Sequence, residues 1–144
     1  MEKPKSVLEG LRAYFYTCPL LAKGQIRMEY LGAKKSGYSL ESTPADPVYK
    51  QYASGDYLGQ LLFVLASREE YGPEDRLAIE SCGFYEQLSS WVAEQNSSGI
   101  LPELPDGKQA QRVELTTQGY AYTNDVRTAR YQIQGKLIYY VRGV

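Results

Sequence analysis

Glu69, Glu70, Glu74 and Asp75 form the densest group of carboxylates in the chain, and carboxylates are the side chains that serve as general acids, bases or glycosidic nucleophiles. They fall around Gly72-Pro73, where a helix should start, and acids in a first helical turn are stabilised by the helix dipole. Their spacing therefore needs no active site. Histidine is absent, which removes Ser-His-Asp and Cys-His nucleophilic catalysis and the usual zinc, copper and non-haem iron ligand sets. Cys18 and Cys82 lie far apart with no further thiols, so they read as buried, reduced core residues rather than a redox or metal motif; a disulfide is the other reading. No glycine-rich nucleotide loop and no nucleophile elbow occurs. No catalytic residue, cofactor or metal site is expected.

Tyrosine is the residue type in excess: 14 Tyr stand against 3 Phe and 1 Trp. A tyrosine buries a large ring yet keeps a hydroxyl that tolerates water, and it is enriched at the cores of protein interfaces. Tyrosine replacing phenylalanine at the edges of a thin sheet would explain the count equally well. Base stacking is a third use, but 16 basic residues against 17 acidic ones leave a net charge of −1. That balance opposes a general binder of nucleic acid or anionic membrane.

These side chains need elements to carry them. Ser6-Val7-Leu8-Glu9 is a capping-box pattern, and Leu8, Leu11, Phe15 and Cys18 recur at helical spacing until Pro19. From Gly24 to Ser42 the period becomes two: Ile26, Met28 and Tyr30, then Tyr38 and Leu40, with the Lys34-Lys35 pair in a solvated loop between them, predict a hairpin. A Pro44/Pro47 connector leads to a short strand, Val48 to Tyr52, which turns at Ser54-Gly55-Asp56. Leu58 to Ala66 fits a helical stripe or a strand covered on both faces; its length and the preceding turn favour a central strand.

Pro73 opens a long helix with Leu77, Ala78, Cys82, Tyr85, Leu88, Trp91 and Val92 on its apolar side, ending near Gln95 and open to a kink at Gly83. Asn96-Ser97-Ser98 matches a glycosylation acceptor by letter only. After a proline-bearing loop, Val113, Leu115 and Thr117 share one face while Tyr120 and Tyr122 have the opposite parity, which predicts a bulge at Gly119. In the last strand Tyr131, Ile133, Gly135, Leu137, Tyr139 and Val141 alternate with a more polar side that nonetheless holds Ile138 and Tyr140. The order α-β-β-β-β-α-β-β predicts one α+β domain over 1–144, with two main helices on a mostly antiparallel sheet of about six strands. Lys3, Lys5, Glu9 and Arg12 break up any early apolar run, so no secretory leader is expected, and no segment reaches the length of a membrane helix.

Several strings, taken in order, resemble a known family. They are Asp46-Pro47-Val48-Tyr49-Lys50, Leu65-Ala66-Ser67-Arg68-Glu69-Glu70-Tyr71-Gly72, Gly83-Phe84-Tyr85-Glu86 through Trp91-Val92-Ala93-Glu94-Gln95-Asn96, Leu101-Pro102-Glu103-Leu104-Pro105, and Thr128-Ala129-Arg130-Tyr131-Gln132-Ile133-Gln134. From about Tyr38 to Tyr140 the chain resembles the small minor-capsid proteins of prophages in Gram-positive bacteria, which are similar to the tail terminators of long-tailed phages. The resemblance implies a virion structural protein: a hexameric ring on the head-proximal end of the tail tube that halts tube growth and docks the head connector. Its implied partners are further copies of itself, the tube protein and the connector protein, with no cofactor, no specific nucleic acid and no membrane. Its implied location is the host cytoplasm during assembly and then the virion. A monomer when dilute, assembling on the tail, is compatible with a small interface.

The family supplies no functional motif to carry over, so the candidate contact residues come from the tyrosine-bearing faces: Tyr120, Tyr122, Arg130, Ile138 and Tyr140. Arg130 can pair with a carboxylate across an interface or within its own sheet; in the first case Arg130→Ala would weaken assembly and spare the fold. The alternatives are a head-completion or neck protein at the portal, and a small enzyme using carboxylates and tyrosines in a deep pocket.

Overall fold

A computed structural model describes residues 3–21, 26–28, 38–70, 74–124 and 128–143, with the side chains of 68–70, 74–82, 121–124, 128 and 129 left aside. Helix α1 (Val7–Tyr16) begins as its sequence requires: the Ser6 hydroxyl accepts from the Glu9 N–H at 3.1 Å. The Glu9 carboxylate reaches back one residue further than a capping box would, accepting from the Lys5 N–H at 3.4 Å. A 3-10 turn (Pro19–Leu21) follows, started by the proline that ends the helical pattern.

Seven strands form one sheet: β1 (Ile26–Met28), β2 (Tyr38–Thr43), β3 (Val48–Gln51), β4 (Tyr57–Glu70), β5 (Lys108–Leu115), β6 (Tyr120–Asn124) and β7 (Thr128–Val141). Their order is β1-β2-β4-β7-β5, with β3 beside the start of β4 and β6 beside the start of β7. Helix α2 (Glu74–Ser98) runs unbroken through Gly83 and ends where Gly99 takes φ +73, three residues past the expected stop. The α+β class and the central-strand reading of Leu58 to Ala66 hold.

Two expectations do not. β1 and β2 pair in parallel, with Ile26 opposite Tyr38 and Met28 opposite Leu40, so they are not a hairpin. Alternation assigns faces but not strand direction: Ile26 and Leu40 are buried as their parity requires in either sense. The Lys34-Lys35 loop lies outside the described residues. Nor is there a bulge at Gly119. The segment divides into β5 and β6 because the β7 backbone at Gln134 is served by other partners: its carbonyl accepts from the Thr116 N–H at 2.8 Å, and its N–H donates to the Thr117 hydroxyl at 3.0 Å. A Cβ on Gly119 would sit 2.5 Å from the Tyr85 ring, so glycine there serves close packing. The Tyr120 hydroxyl accepts from Gln132 and Gln134 on the face of the sheet away from the helices. The shift that re-aims β5 lies between Ala110 and Arg112 and lets both Ala110 and Val113 face the core.

Both helices cover one face of the sheet. Leu11, Phe15, Tyr85, Leu88 and Val92 meet Leu40, Phe63, Leu65, Val113, Ile133 and Leu137, every one of them buried. Phe15 packs edge-on against Phe63 with ring centres 5.8 Å apart. Cys18 is a free thiol in this core, as expected, and burial raises its pKa; the Cys82 side chain lies outside the described set. The Tyr85 hydroxyl ties α2 to the sheet, 2.9 Å from the Ser67 hydroxyl and 3.1 Å from the Tyr131 carbonyl. No described helix is long and apolar enough to cross a membrane.

Candidate interaction face

The other face of the sheet carries no described helix. On it lie the alternate residues of each strand: Ser39 and Glu41 of β2, Leu62, Val64 and Ala66 of β4, and Arg130, Gln132, Gln134, Lys136, Ile138 and Tyr140 of β7. A strand face turned away from its core usually meets water. Here Ser39, Val64, Ala66, Gln132 and Ile138 are buried even so. Two side-chain assemblies account for most of the cover.

The first spans the sheet from β2 to β6. Ser39 donates to Glu41 at 2.6 Å, and Glu41 accepts from the Arg130 guanidinium at 3.0 Å. Arg130 Nε donates to the Gln132 Oε1 at 2.8 Å. The side-chain amides of Gln132 and Gln134 both donate to the Tyr120 hydroxyl, at 2.7 and 2.8 Å. Each member holds the next in one rotamer, the condition under which a buried polar network is stabilising. Burial opposes ionisation of Glu41, but the hydrogen bonds from Arg130 and Ser39 and the Arg130 charge outweigh it and hold its carboxyl below the usual range.

The second lies at the opposite end. Arg112, opposite Ile138 on β5, and Lys136 both pair with Glu114, the lysine at 3.6 Å. The exposed Tyr49 ring lies 5.9 Å from the Arg112 guanidinium and 5.2 Å from the Lys136 ammonium. Tyr49 is the residue at which β3 slips register against β4, which frees its side chain to lie over the sheet. Beside it, the Tyr140 hydroxyl donates to Asp56, whose carboxylate also accepts from the Gly143 N–H at 2.6 Å. Those two hydrogen bonds hold the Asp56 carboxyl below its usual range, and the Asp56 partner raises the Tyr140 phenol.

The five expected contact residues divide accordingly. Tyr120, Arg130 and Tyr140 share this face and are half-buried, each with its polar group engaged inside the chain. Arg130 resolves toward the pair within its own sheet. Ile138 is fully buried, lying under the Arg112, Lys136 and Tyr49 side chains, and so offers no contact surface; its place on a polar strand face concealed that cover. The Tyr122 side chain lies outside the described set, as do those of Glu69, Glu70, Glu74 and Asp75. Sequence reading missed Glu41, Gln132, Tyr49 and Tyr52. The two tyrosines flanking Lys50 in Tyr49-Lys50-Gln51-Tyr52 are the available signal for the last two; Glu41 and Gln132 show their roles only across strands distant in sequence.

Among the described residues no group of three or more metal-ligating side chains comes together. No known family model matches the chain, and no curated protein matches its sequence.

Proposed function

We propose that the chain is a virion structural protein that works through its helix-free sheet face, in the manner of a tail terminator: a ring subunit that stops tail-tube growth and joins tail to head. The supporting observation is the Ser39–Glu41–Arg130–Gln132–Tyr120–Gln134 network. A polar surface whose rotamers are already fixed loses little entropy when a partner covers it, so it suits protein docking. Half-buried Leu58 and Leu62 add apolar area on the same face. Ring closure follows if one copy's face meets a different surface of the next at a rotation that closes.

The station within the virion is set by which protein the chain holds. Co-purification of the tagged full chain with purified tube protein, and separately with connector protein, tests it. Retention of the tube protein supports the terminator; retention of the connector alone moves the chain to the neck; retention of neither removes the structural reading.

A further inference from the structure

One end of the helix-free face sets cations beside exposed tyrosine rings. There β3, the start of β4, the end of β7 and the start of β5 lie side by side. Lys50, Arg112, Lys136 and Arg142 belong to this end, against the carboxylates Asp46, Asp56 and Glu114, whereas Lys108 pairs with Val141 and stands over the Tyr139 ring on the side the helices cover. All three acids are engaged: Asp46 by the Val48 N–H, Asp56 by Tyr140 and Gly143, and Glu114 by Arg112 and Lys136. Lys50 and Arg142 have no salt-bridge partner among the described residues. Lys108 and Arg142 flank a shallow depression of about 360 Å³ completed by Gly107, Gln109 and Tyr140.

Aromatic rings adjoin the cations. Tyr140 lies 6.3 Å from Tyr52, and the Lys50 ammonium stands 5.4 Å from the Tyr52 ring centre. Tyr52 and Tyr49 are 37% and 44% exposed, so both rings keep area open to a ligand. Cations beside open aromatic planes are the two components of a surface that binds single strands: phosphates meet the charges and bases stack on the rings. An acidic peptide without aromatic side chains would use the cations and leave the two rings idle. A duplex keeps its bases stacked internally and leaves the rings idle.

We infer that this end of the sheet binds single-stranded nucleic acid without sequence preference, with phosphates at Lys50 and Arg142 and bases on Tyr52 and Tyr49. The net charge of −1 averages over the whole surface, while at this end the three carboxylates are engaged within the chain.

Fluorescence anisotropy of a labelled thymidine homopolymer about 20 nucleotides long, titrated with the purified full chain at about 50 mM salt, tests the inference. Saturable binding is expected, weakened at least about tenfold for a duplex of equal length. The Arg142→Ala variant should lower the slope of log affinity against log salt by about 0.7. Tyr52→Leu should weaken binding about fivefold or more at an unchanged slope. Lys50→Glu, an exposed edge-strand change that leaves the core untouched, should abolish binding, and circular dichroism confirms the fold of each variant. Absence of binding by the native chain overturns the inference. So does equal competition by polyglutamate, equal affinity for the duplex, or full affinity in Tyr52→Leu.

Discussion

Arg130 and Glu41 join strands distant in sequence, and both side chains are largely shielded: 17% exposed for the arginine and 24% for the glutamate. Removing the arginine strands a shielded carboxylate, so Arg130→Ala is expected to cost about 2 kcal/mol of folding stability, with partial recovery in Arg130→Lys. Urea denaturation measures it; an unchanged midpoint would contradict the pairing. The same pair sets a pH dependence. Glu41 titrates lower in the folded chain than in the unfolded one, so its contribution is complete above the unfolded value, about 4.3, and is lost as pH falls through the folded value. Stability of Glu41→Gln should accordingly fall less steeply than that of the native chain below about pH 4.5. A second residue test lies at Gly135, where an added Cβ would stand 2.5 Å from Phe63 Cζ and 2.7 Å from the Glu114 carbonyl oxygen. Because the backbone cannot give way as a flexible side chain would, Gly135→Ala should cost about 1–3 kcal/mol, read from the same denaturation curves.

At the scale of elements, β5 borders the sheet, and its edge is partly closed by α2. The Asn96 side chain accepts from the Val113 N–H at 3.1 Å and donates to the Val113 carbonyl at 2.6 Å, doing for that residue what a neighbouring strand would do. Asn96→Ala should therefore cost about 1–2 kcal/mol and speed hydrogen exchange at the Val113 amide; protection equal to the native chain's would contradict the edge-closing role. This use of Asn96 also explains a side chain that by letter alone looked like a glycosylation acceptor. The elements themselves were largely legible: Ser6 and Glu9 mark the start of α1, Gly55 turns β3 into β4, and the unbroken apolar run Leu61–Leu65 marks the central strand. What stayed hidden depends on contacts between distant parts. The parallel sense of β1 and β2 has no local signature, and the split between β5 and β6 rests on Gln134 binding Thr116 and Thr117. The candidate site was half legible for the same reason: β7 alternation brings out Arg130 and Tyr140, but nothing local reveals that Glu41 meets Arg130 or that Ile138 is covered.

At the scale of the whole molecule, two helices shield one side of a sheet and leave the other to a fixed polar network and a cation–tyrosine cluster. The proposed role makes that open side a docking surface, which separates fold from assembly. Gln134 is exposed and sits at the end of the network, so Gln134→Arg should keep native stability yet lose retention of the tube protein in co-purification. Retention at the native level would clear this part of the face. The most direct measurement is electron microscopy of tails formed in cells that make every other tail component but lack this chain. The account predicts tubes of unregulated length without heads attached, restored by the native chain and not by Gln134→Arg. Tubes of one normal length in its absence would contradict the terminator role.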